Sequence, residues 1–196
     1  LTANPIQDIT LRTGQTALVL LVLSLSITPL YTAFTLKELL PLRRRLGLYA
    51  FFYATLHFLT FVGLDYGFDA GLLKEAIFEK RYALVGFAAF LVLLPLAVTS
   101  TKGWMRRLGK RWKALHRWVY VAALLVIVHY VWLVKADIRL PLLYGAIVGI
   151  LLALRIPAVA QRVRQWRQAR RRKQTPRPAV TGGPPVAAQP QQAGGE

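Results

Sequence analysis

Four stretches of this chain, 16–36, 46–64, 82–100 and 118–134, contain no charged residue, and a fifth, 140–157, contains only Arg155 near its end. No other feature constrains the fold so strongly. A helix rises about 1.5 Å per residue, so about 20 apolar residues cross a bilayer's hydrocarbon core. The runs therefore predict five membrane-spanning helices, the last two short. Trp118, Trp132, Lys135 and Arg155 flank those two and suit the interfaces. Pro29 and Pro95 lie inside predicted spans and should kink them. The expected class is all-α, a polytopic membrane bundle over 1–157. A basic helix along the inner leaflet (158–173) and a disordered tail rich in Pro, Gly, Ala and Gln (174–196) should follow. No internal repeat is visible.

Charge gives the orientation. The net charge is +18, although 55% of residues are hydrophobic and mean hydropathy is +0.41. Both hold because the basic residues are segregated: segments 37–45, 102–117 and 155–177 carry 20 of the 26. By the positive-inside bias these segments are cytoplasmic. The alternate segments, 1–15, 65–81 and 135–139, hold six of the eight acids and should face outward. The C-terminus is then cytoplasmic. Nucleic-acid binding is disfavoured, because the basic residues flank membrane-length runs rather than form one face. The absence of cysteine excludes disulfides, thiolate zinc sites, iron–sulfur clusters and Cys-ligated haem.

The chain has three histidines, His57, His116 and His129. An ionisable group inside a span is costly and marks function. His57 lies 12 residues past Arg45, and His129 lies 12 past Arg117. Both should reach about 18 Å from the cytoplasmic edge. Two neutral imidazoles at one depth are what a six-coordinate haem iron needs. Gly47, Ala50 and Ala54 fall within about 80° of His57, and Ala122 within about 20° of His129, which gives a flat macrocycle room; ordinary helix packing uses small residues equally well. A proton path would add intramembrane carboxylates, and zinc would want further ligands at that depth; neither is present.

His116 lies nearer the cytoplasmic surface, about 20 Å along the helix from His129 and roughly 140° around it. Arg43 is about 40° from His57's direction. Arg43 and His116 are candidates to flank a second site, for a second haem, a flavin phosphate or a quinone. An interfacial histidine with an anchoring arginine is the alternative.

Several motifs carry a resemblance: ITPL (27–30), RRRLGLYAFFYATLHF (43–58), TSTKGWMRRLGKRWKALHRWVY (99–120), HYVWLVKAD (129–137) and PLLYGAIVGILLALR (141–155). In combination they resemble the MsrQ (YedZ) family of haem-binding membrane subunits, in the ferric-reductase-like transmembrane superfamily. The resemblance implies a bacterial inner-membrane protein that is not an enzyme on its own. It implies haem b, one or two, with electrons arriving from quinone or a cytoplasmic flavin reductase. They leave for a periplasmic molybdopterin partner (MsrP) that reduces methionine sulfoxide in oxidised proteins. FMN is associated with the family, although no binding motif for it stands here. By the same resemblance His57 and His129 match the haem ligands. His116 matches the family's other histidine, and Arg43 or Arg44 the basic residue before the LGL motif. Such proteins carry a further helix before the NP-x-x-DI stretch, so a sixth span is expected upstream of Leu1. The rival readings are a stand-alone ferric or cupric reductase and a haem-free transporter or scaffold.

Overall fold

The computed structural model describes residues 4–34, 36–134 and 137–156, together with 159, 161, 162, 165 and 168. Among them there are helices and no strands. The helices are α1 (Pro5–Phe34), α2 (Leu40–Leu59), α3 (Ala70–Glu79), α4 (Arg81–Val98), α5 (Lys102–Leu108), α6 (Lys110–Leu115), α7 (Val119–Leu133) and α8 (Arg139–Ala153). Four membrane-length apolar helices result: α1, α2 with its extension to Asp65, α4, and the run from α6 through α7. Within their most apolar windows only 11–28% of residues are buried inside the protein. The remaining apolar surface faces outward, which suits lipid and not water.

The fifth predicted span is shorter than expected. α8 has 15 residues and ends in a turn at Leu154. Pro157 disfavours helix at the residue before it. At its other end α1 begins eleven residues earlier than its charge-free run suggests. Asn4 Oδ1 accepts the Gln7 amide at 3.2 Å, and Asp8 pairs with Arg12 at 2.8 Å. The predicted 65–81 loop contains α3, started by Asp69, whose carboxylate accepts the Gly71 and Leu72 amides at 2.8 and 3.0 Å. Of the predicted basic helix, the five described positions between 159 and 168 are helical. The predicted tail lies outside the described residues.

α1 packs along α2 and α4 along α7, the two most extensive pairings. A core of Leu18, Leu21, Val22 and Leu25 from α1, Ala50 from α2, Ala123 from α7 and Val148 from α8 joins them. One polar contact there has a clear origin. Pro29 has no amide hydrogen, so the Leu25 carbonyl loses its helical partner. Arg155, just past α8, supplies one: Nη2 donates to that carbonyl at 2.6 Å. Its Nη1 donates to the Tyr120 hydroxyl at 2.6 Å, with the guanidinium 4.9 Å over the Tyr120 ring. The carbonyl freed by Pro29 in α1 thus becomes the point where α8 and α7 are fastened.

Candidate functional site

His57 stands in the last turns of α2 and His129 in those of α7, and the structure brings the two rings together. Their centroids are 6.1 Å apart and their planes meet at 81°. Metal–imidazole bonds of about 2.0 Å on each side, with about 1.1 Å from ring centre to nitrogen, would put the centroids about 6.2 Å apart. The spacing therefore has room for one metal ion between the rings and little more.

Each ring is oriented by a backbone carbonyl 47 residues earlier. His57 Nδ1 donates to Thr10 O at 2.8 Å, and His129 Nδ1 donates to Tyr82 O at 2.7 Å. A carbonyl can only accept, so both imidazoles carry their proton on Nδ1 and keep the Nε2 lone pair free. A carbonyl that holds one ring nitrogen in this way leaves the other oriented and basic, a good metal ligand. Thr60 reinforces it on the His57 side: its hydroxyl donates to His57 O at 2.8 Å and receives the Thr10 hydroxyl at 3.3 Å.

An imidazole reaches a helix's backbone carbonyl only where the next turn has no side chain in the way. Gly14 and Gly86 supply that gap, each four residues past its carbonyl. A Cβ at Gly14 would lie 2.9 Å from His57 Nδ1, and one at Gly86 would lie 2.6 Å from His129 Nδ1. These glycines were not among the small residues singled out from the sequence. The available signal was an isolated glycine inside an apolar helix, where alanine is more stable by about 1 kcal/mol. Of the expected small residues, Ala50 and Ala54 do line the space between the rings. Gly47 instead faces the Ser24 hydroxyl, and Ala122 is fully buried in helix packing.

The spacing reveals an order that similarity hides. A shift of 72 positions carries Thr10 to Tyr82, Gly14 to Gly86, Ala50 to Ala122 and His57 to His129. Each helix pair, α1–α2 and α4–α7, thus builds one half of the site by the same construction.

Between the halves lies a cavity of about 850 Å³ lined by both histidines and both glycines. Binding sites for small ligands and cofactors span about 300–1,000 Å³. One wall is aromatic: Phe58 stacks on Phe90 at 4.8 Å and on Phe87 at 5.8 Å. One end is lined by Leu21 and Leu93, and the other is polar, with Asn4, Gln7, Asp65, Tyr66 and Lys80. A flat apolar macrocycle with polar substituents fits this donor set and shape.

His116 is elsewhere. It begins a 3₁₀ turn, His116–Trp118, that tightens the path from α6 into α7. Its ring stacks on Trp112 at 3.9 Å, its Nδ1 contacts Trp112 O at 3.2 Å, and its Nε2 contacts Ser100 Oγ at 3.3 Å. Arg43 is half-buried within electrostatic reach of both His116 and Arg155, whereas Arg44 is exposed. Among the described residues no second histidine stands near His116, and no group of three or more His, Cys, Asp or Glu is placed to hold a metal ion.

Comparison with known proteins adds three findings. The profile of the family described as "Ferric reductase like transmembrane component" matches residues 13–127. The chain is 49% identical, over 82% of its length and 78% of the relative's, to the protein-methionine-sulfoxide reductase heme-binding subunit MsrQ of Rhodospirillum rubrum. It is 46% identical to the MsrQ of Xanthomonas axonopodis pv. citri over 91% of this chain and 80% of that one. It is 48% identical to the MsrQ of Herminiimonas arsenicoxydans over 79% and 72%. No solved structure matches the chain.

Proposed function

We propose, for a chain that belongs to the ferric-reductase-like transmembrane family and within it to the MsrQ haem-binding subunits, that it is a membrane electron carrier. His57 and His129 hold one b-type haem between the two helix pairs. The observation that carries this reading is the pair of rings 6.1 Å apart, each with its Nδ1 proton on a backbone carbonyl. When bound, the haem supplies a one-electron couple that no side chain of this cysteine-free chain offers.

The protein's own part is to hold and insulate. Thr10 and Tyr82 fix the ring orientations and tautomers, and Gly14 and Gly86 allow the approach. Phe58, Phe87 and Phe90 form a dry wall on one side. With His57 and His129 both holding the haem, a substrate would not bind the iron directly, and the chain's part would be to pass electrons on. The carrier sits in the bacterial inner membrane with its C-terminus in the cytoplasm. Electrons enter from the quinone pool or a cytoplasmic flavin reductase, near Arg43, His116 and the basic 102–113 segment. They leave through the outer end of the cavity to a periplasmic MsrP-like molybdopterin reductase that repairs oxidised proteins. The outward acids Asp65, Asp69, Glu75, Glu79 and Asp137 offer that partner a complementary surface. FMN and a second haem find less support. His116 has both ring nitrogens in contact within the chain, and no histidine partner among the described residues.

The test is a reduced-minus-oxidised visible spectrum with a pyridine haemochrome count on the purified protein. A low-spin b-type spectrum is expected, lost in both His57→Ala and His129→Ala. If both variants keep it unchanged, the ligand assignment is wrong. If the wild-type protein is colourless despite ample haem, the carrier reading falls. Iron(III) reduction by NADPH with no added reductase would favour the stand-alone reductase.

A further inference from the structure

Among the described residues that line the cavity, Lys80 is the one lysine or arginine, and it stands at the outer mouth. It is the N-cap residue of α4, two positions before the carbonyl that orients His129. Its Nζ donates to the Tyr66 hydroxyl at 2.7 Å and lies 5.4 Å from the centre of the Tyr66 ring. Tyr66 ends the π-helical stretch Thr60–Asp65 that continues from the His57 helix. The contact therefore spans the mouth from one half of the site to the other. Tyr66 is itself held by Phe61, with ring centres 4.9 Å apart.

The charged lining among the described residues is confined to this end. Going inward, past Gln15 and Tyr130, the walls become Leu18, Leu21, Ala50 and Leu93, with no cation to meet a carboxylate. Leaving an ionised carboxylate in such surroundings is prohibitively costly. A macrocycle with acidic side arms must then enter with those arms toward the mouth. There the described lining offers one cation, Lys80, and one anion, Asp65. Asp65 repels an acid arm, so the arm goes to the lysine side. The hydrogen bond it donates to Tyr66 holds the Lys80 ammonium above its usual pKa, so it is cationic throughout the physiological range.

We propose that Lys80, presented by the Tyr66 hydroxyl, is the anchor for a propionate of the haem, and that it fixes the macrocycle with its acidic edge outward. The proposal rests on the haem reading above. It makes Lys80 a positioning residue: it touches the cofactor's periphery and acts on the iron through charge.

The test uses the purified, haem-loaded full chain. Redox titrations compare the wild type with Lys80→Gln, Lys80→Arg and Lys74→Gln. Lys74 lies on α3, on the same outward side, but is absent from the cavity lining. Removing a cation next to a propionate favours the oxidised form, so Lys80→Gln is expected to lower the midpoint potential. Lys80→Arg should restore most of it, and Lys74→Gln should leave it in place. Resonance Raman should show the propionate bending mode displaced in Lys80→Gln alone. An unchanged mode and potential in Lys80→Gln, with the low-spin spectrum intact, overturns the inference and leaves the haem reading standing. Equal shifts in Lys80→Gln and Lys74→Gln also overturn it, since they would report general surface charge. A wild-type protein without haem overturns both.

Discussion

Two hydrogen atoms matter most at the scale of single residues: the ones on Cα of Gly14 and Gly86 that a methyl group would replace. Each would place a Cβ within 3 Å of a histidine ring held against backbone, and neither ring can retreat without giving up its carbonyl. Gly86→Ala, the tighter of the two at 2.6 Å, is expected to lose the low-spin haem spectrum, and Gly14→Ala, at 2.9 Å, to weaken it. Gly149→Ala is the control, because its Cβ would meet nothing within 4 Å. It should keep the spectrum and raise helix stability slightly. Haem content per protein, read beside helical circular dichroism, separates lost binding from lost fold. His57 and His129 could be picked out from the sequence because an imidazole in an apolar run is conspicuous and equal depth is a matter of counting. The glycines could not, because their role depends on which helix passes in front of them.

At the scale of helices, the junction of α1, α7 and α8 can be tested through one proline. Arg155 donates to the carbonyl that Pro29 leaves unpaired. A half-buried hydrogen bond from a charged group contributes about 1.5–3 kcal/mol. Arg155→Met should lower the detergent-solubilised protein's thermal midpoint accordingly. In a Pro29→Ala background the amide is restored to Leu25, so the same arginine substitution should cost less. A cost equal in both backgrounds would mean that Arg155 acts through Tyr120 alone. The membrane helices were legible because an uncharged run of bilayer length has few other uses. Their ends were not. α1 extends outward through capping by Asn4 and the Asp8–Arg12 pair, while α8 stops early ahead of Pro157. α3 escaped notice because its ten residues are too short to stand out as a span, although Ala, Leu, Lys and Glu behind the Asp69 cap favour helix there.

On the scale of the whole molecule, orientation decides which end of the cavity meets which partner. The chain's lack of cysteine makes this easy to measure. Lys74→Cys and Lys110→Cys each introduce a single thiol, on predicted opposite sides. An impermeant maleimide added to intact cells should label the first, and the second only after permeabilisation. The reverse pattern would invert the path of the electrons. The repeated half-site belongs to this scale too. It was invisible as sequence similarity because only four positions carry it, and lipid-facing residues between them are free to differ.

The cavity also bears on how the protein survives. On the side of Leu25 and Val148 the two helix pairs meet through a packed core and the Arg155 junction. On the opposite side the space between them is mostly the cavity, bridged at its mouth by Lys80 and Tyr66. Whatever fills that space is also the mortar between the pairs. A ligand that binds only the folded form stabilises it by mass action. A newly inserted chain that finds no haem lacks that stabilisation and spends more of its time unfolded, where membrane proteases can remove it. The cellular abundance of this protein is therefore expected to follow the haem supply, with no regulator required.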